Sequence, residues 1–148
     1  MMSGNPAPKP GNGWQAAGVS VRGAAHTRSG APNQDAWRIW QPVAGRLPLV
    51  LAVADGHGGA AYTRSHIGAA YAVNTAVRVL AQDLLPRLVA PDAPPDLPLV
   101  KRTCDEWLPK VLVRRWQERV RRYSRRYPLP GPAKDNPDSL TPYGATLL

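Results

Sequence analysis

An α+β fold is predicted by three features: short apolar, β-branched runs in the first third, two long stretches of helical periodicity behind them, and a final apolar segment that reads as a returning strand. Residues 1–13 are a Gly/Pro/Asn tail and are expected to be disordered, leaving 14–148 as one folded unit. Residues 15–22 alternate loosely around Val19 and Val21, which predicts a first strand. Residues 26–32 form a loop carrying Arg28. Strands follow at 35–40 and 47–54, the second an unbroken apolar run of the kind a buried strand shows. A helix is predicted over 60–85, ended by Pro86, with Ala70, Val73, Val77, Leu80 and Leu84 as its core stripe. Five prolines within 86–98 predict a connector without a helix of its own. A second helix over 101–127 places Trp107, Val111, Leu112, Trp116, Val120 and Tyr123 on one face, with Pro109 starting or kinking it. A second proline-rich loop, 128–142, leads to the strand that opens at Gly144.

Composition narrows the class. With 43% hydrophobic and 20% charged residues the chain is globular, and 148 residues suffice for a single core. Cys104 is the single cysteine, which excludes a disulfide framework within the chain and a cysteine-rich zinc site. It reads as a half-buried helix thiol, because no nucleophile motif surrounds it. The N-terminus lacks the apolar core of a signal peptide, and no run approaches the roughly 18 apolar residues of a membrane span. A cytoplasmic protein is the expectation. The net charge of +9 is concentrated: residues 101–127 hold ten Lys or Arg against three acids. Such a segment reads first as the solvated outer face of an amphipathic helix, and only second as a surface for a partner or a phosphate backbone.

The most informative residues are Val-Ala-Asp-Gly-His-Gly-Gly at 53–59. An apolar strand delivers Asp55 to its exposed end. The glycines that follow let the backbone turn and approach a ligand, and His57 adds a proton-transfer group. Upstream, Asn33-Gln34-Asp35 precedes the other strand and brings a second carboxylate. Hydrolysis of a phosphomonoester needs a nucleophilic water and a clamp for phosphoryl charge, tasks that a pair of divalent cations performs. Asp55 is the candidate bridging carboxylate, the Gly56 carbonyl a second oxygen ligand, and Asp35 a ligand that orients water on the metal. Arg28 can hold the phosphate through its planar fork.

Arg28, the Asn33-Gln34-Asp35-Ala36 segment, the Asp55-Gly56-His57-Gly58-Gly59 loop and the Gly144-Ala145-Thr146-Leu147-Leu148 strand together resemble the metal-dependent type 2C (PPM-type) serine/threonine protein phosphatases. The resemblance covers about residues 14–148. It implies a β-sandwich flanked by helices in α-β-β-α layers, incomplete in this chain, two Mg²⁺ or Mn²⁺ ions, a phosphorylated protein as substrate, and His57 as general acid toward the leaving alkoxide. It further implies two acidic segments beyond the Gly-Ala-Thr strand. The chain is therefore expected to be the N-terminal portion of a larger catalytic domain and to show little activity alone. Two departures stand out: Gln34 occupies a position where many members carry Glu, and Arg28 lies further before Asp35 than the phosphate-binding arginine usually does. The alternative reading is a catalytically inactive phosphatase-like module that binds a phosphorylated partner; a nucleic-acid binder using 101–127 ranks third, and no membrane association is expected.

Overall fold

The computed structural model describes residues 13–43, 47–88, 94–130 and 138–148. Most of the predicted tail, the middle of the first proline-rich connector and the middle of the second lie outside them. The α+β class stands. Among the described residues an antiparallel sheet is formed by β1 (Asp35–Trp40), β2 (Val50–Gly56) and β3 (Ala145–Leu147), with β2 in the centre. β1 agrees with the strand expected from sequence, whereas β2 begins and ends later than 47–54 and takes in Asp55 and Gly56. Its residues alternate strictly between buried and exposed, so the sheet has one covered and one open face.

The covered face meets α2 (Ser65–Arg78). Val50, Ala52 and Ala54 pack against Ala69, Ala72, Val73 and Ala76, and Trp40, Leu112, Trp116 and Leu147 close the margins. These small side chains bring helix and sheet close. Gly68 shows how close: a Cβ there would fall 1.8 Å from the Tyr143 carbonyl oxygen. Helical winding continues beyond α2 through a wide turn, Val79–Leu84, into α3 (Leu85–Leu88). Val79 and Leu84 are both buried, a five-residue spacing that suits the wider turn and restores the apolar phase. Pro86 accordingly sits inside the last helical turns and does not end the helix at 85.

Three further expectations are corrected. Residues 15–22 form no strand; they run over the open face without joining the ladder, and Val19 and Val21 are exposed. Two isolated valines could not anchor a register. The loop proposed for 26–32 contains a short helix, α1 (Ala24–Ser29), ended by Gly30 at φ 73°. The first proline-rich connector gives way to α4 (Leu97–Arg102), because the Asp96 carboxylate accepts from the Leu99 N–H at 3.1 Å and Pro98 falls in the first turn, where its missing N–H costs nothing. α4 passes through a second wide turn, Thr103–Trp107, into the basic helix α5 (Leu108–Arg126). Pro109 occupies the first turn of α5. Val111 and Val120 are buried, and the Trp116 indole N–H donates to the Gly68 carbonyl at 2.9 Å, pinning α5 to α2.

α5 is also held at its far end. Arg64 donates to the Tyr127 and Pro128 carbonyls and to the Tyr143 hydroxyl, so one guanidinium ties the C-terminus of α5 to the turn Thr141–Tyr143 that starts β3. A cation at a helix C-terminus meets unpaired carbonyls and the negative end of the helix dipole. Among the described residues no helix is long and apolar enough to cross a membrane.

Candidate metal and phosphate site

The ladder register places the two carboxylates. Asp35 lies directly opposite Asp55, and Asp55 directly opposite Thr146 on the other side, so all three project from one transverse row at the open face. Gly56 donates its N–H to the Gln34 carbonyl at 3.1 Å. Hydrogen-bonded and non-hydrogen-bonded pairs alternate along an antiparallel ladder, which makes Asp35/Asp55 a non-hydrogen-bonded pair, the closer kind. Like charges so placed repel. Neither carboxylate has a cation or hydrogen-bond donor among the described residues, and both are exposed.

The chain enters this row under local control. Asn33 accepts from the Asp35 N–H at 3.2 Å through its side-chain oxygen, and its amide donates to Ser20 Oγ at 2.6 Å. Residues 16–21 thereby lie beside the row, and a groove of about 530 Å³ runs between them and the sheet, with Trp37, Val53 and the two aspartates among its walls.

His57 follows the strand. Its N–H donates to the Gly144 carbonyl at 3.0 Å, Nε2 lies 3.3 Å from Thr146 Oγ1, and the ring stands edge-on to Tyr62 with centroids 5.0 Å apart. Gly144 must lack a side chain here, since a Cβ would sit 2.9 Å from both His57 Nδ1 and the Tyr62 ring. Of the glycines predicted to make the turn, only Gly59 has a positive φ, 102°; Gly56 belongs to the strand. The Gly56 carbonyl therefore starts from the strand end, not from a free loop.

The structure brings Asp35, Asp55, Gly56 and His57 together. It leaves Arg28 on α1, a helix with no buried residue, and Arg28 makes no hydrogen bond or ion pair among the described residues. Thr146 and Tyr62 join the site without having been singled out; Thr146 was visible only as part of the Gly-Ala-Thr strand. Of the other histidines, His66 is half-buried at the start of α2 with Nδ1 unpartnered among the described residues. Burial, and then the neighbouring Arg64, lower its pKa from the ordinary histidine value.

A donor set of two facing, unpartnered carboxylates suits a hard divalent cation and is penalised without one. It is also small: among the described residues no three His, Cys, Asp or Glu side chains converge.

Comparison with known families decides the lineage. The family model for Protein phosphatase 2C matches residues 22–148. The chain belongs to the protein phosphatase 2C family. No curated protein and no solved structure matches it. The phosphatase 2C match spans α1, all three strands and both long helices, so the aspartate row and the His57 turn both fall inside it.

Proposed function

We propose that this chain carries residues for metal-dependent hydrolysis of phosphoserine and phosphothreonine on proteins. The observation that supports this most is the Asp35/Asp55 pair, two carboxylates held in register at an open sheet face with no partner among the described residues to neutralise them. Asp55 and Asp35 would hold the cations, with the Gly56 carbonyl as a further oxygen. Two Mg²⁺ or Mn²⁺ ions, when bound, supply Lewis acidity toward the phosphoryl oxygens and acidify a water. His57 gives a proton to the departing serine or threonine oxygen, and its contact with Thr146 fixes the ring that does so. Arg28, which lies on α1 and not in the row, is proposed for the phosphate from its planar fork alone.

The test is Mn²⁺ titration of the purified chain followed by spin resonance. Weak binding is expected, since two carboxylates furnish few of the ligands that two cations need. Asp55→Asn should abolish it, and Asp35→Asn should weaken it about tenfold or more. Binding that ignores both substitutions overturns the assignment.

One observation favours a second reading. The absence of a third converging ligand among the described residues suits an inactive module that binds a phosphorylated partner. That reading predicts retention of a phosphothreonine peptide without turnover and without Mn²⁺.

A further inference from the structure

On the side of the molecule away from the aspartate row, four arginines from three elements converge. Arg38 belongs to β1, opposite the buried Ala52 and so on the helix-covered side of the sheet. Arg78 ends α2, and Arg119 and Arg122 lie one turn apart on α5. Two adjoining grooves, of about 300 and 220 Å³, share Arg78 and Arg119 as walls.

Two of the four are held in place by neutral groups. Arg38 donates to the Asn74 side-chain oxygen, Arg119 to Thr75 Oγ1 at 3.4 Å, and the Arg119 guanidinium stands 5.0 Å over the Tyr71 ring. None of the four has a carboxylate partner among the described residues. Arg115, in the same groove, is by contrast paired with Asp83, and the remaining acid there, Glu118, faces Arg114 at 3.9 Å. Burial lowers the Arg119 pKa from its ordinary value, and the cations Arg78, Arg122 and Arg38 push it the same way. A helix that needed arginines only for solvation would splay them into water; here one is half-buried among three others.

We propose that Arg38, Arg78, Arg119 and Arg122 form a binding site for a compact, multiply charged phosphate anion. The guanidinium fork matches phosphoryl oxygens two at a time. Because three elements contribute, the positive charge is gathered at Arg119, and the small grooves fit one or two phosphoryl groups better than the long track that a nucleic-acid backbone requires. Such an anion can be a free oligophosphate or neighbouring phosphoryl groups on a protein. The site is separate from the carboxylate row and does not depend on the phosphatase reading.

Calorimetric titration at 150 mM NaCl with inorganic tripolyphosphate, and separately with a doubly phosphorylated peptide, tests it. At least one should bind, and the stronger identifies the source. Arg78→Gln/Arg122→Gln should weaken binding roughly tenfold or more. Arg121→Gln/Arg125→Gln, which removes equal charge outside the grooves, should change it less than about twofold. A thermal melt without ligand separates binding from folding: the first pair should be at least as stable as the parent, because repulsion is relieved. The site is overturned if neither probe binds, if both pairs lose affinity equally, or if a single-stranded oligonucleotide binds more tightly with affinity rising with its length.

Discussion

Asp35 and Asp55 are twenty positions apart, and each was legible in the sequence as a carboxylate at the mouth of an apolar strand. Their alignment was not, since it depends on a register that no local pattern encodes. Arg64 and Tyr143 escaped for a related reason: their partners are main-chain carbonyls and a ring contributed by distant segments. At this scale the role of His57 can be separated from mere placement. In a protein that contains this segment and turns over both substrates, His57→Gln should slow a phosphoserine peptide far more than para-nitrophenyl phosphate, whose leaving group hardly needs a proton. Equal losses on both would leave His57 as a structural loop residue. His66 gives a pH prediction whose sign follows from burial of the neutral ring. Its folded pKa lies below the unfolded one, so the unfolded chain takes up the proton first as pH falls. Stability is complete above the unfolded value of about 6.5 and declines as pH drops through it toward the folded pKa. Urea melts between pH 7.5 and 5 should show that decline in the parent and a smaller one in His66→Gln.

Among the elements, those with strong periodicity were readable: β1, most of β2, and the long stretches of α2 and α5. The misread ones share a cause, in that a non-repetitive feature outweighed the pattern. Asp96 capped α4 where prolines argued for a connector, and the wide turn Val79–Leu84 carried helical winding past Pro86, where the helix was expected to end. Residues 15–22 carry strand-like residues but have no place in the ladder, being tied instead by the Ser20–Asn33 bond. Of the described glycines, Gly68 on α2 makes the closest approach, to the turn before β3. Gly68→Ala would drive a methyl into the Tyr143 carbonyl and should cost about 4 kcal/mol or more, enough to unfold a marginal domain. Gly58→Ala meets nothing nearer than 4.0 Å, and its melting temperature should stay close to that of the parent. Similar losses in both would mean that α2 can slide away from β3.

For the whole molecule, the α+β class was readable because strands and helices segregate along the chain; the number of sheets was not. Among the described residues there is one sheet, and its open face exposes Trp37, Leu51, Val53 and Leu148 around the groove. Apolar surface of that kind drives self-association. Light scattering should find dimers or larger species at micromolar concentration, and Leu51→Lys/Val53→Lys should shift the chain toward monomer while its helical circular dichroism is retained. A parent that is monodisperse and monomeric contradicts this. The transverse row at the end of β2 has a further consequence, one of assembly order. Asp35 meets Asp55 by closing a local hairpin, whereas Thr146 arrives from ninety residues further along and brings the Gly144 carbonyl that holds His57. Short loops close at lower entropic cost than long ones. The carboxylate pair is thus the early-forming half of the row and the seat of His57 the late one, so under the proposed function a nascent chain would gain affinity for cations before it could gain its acid.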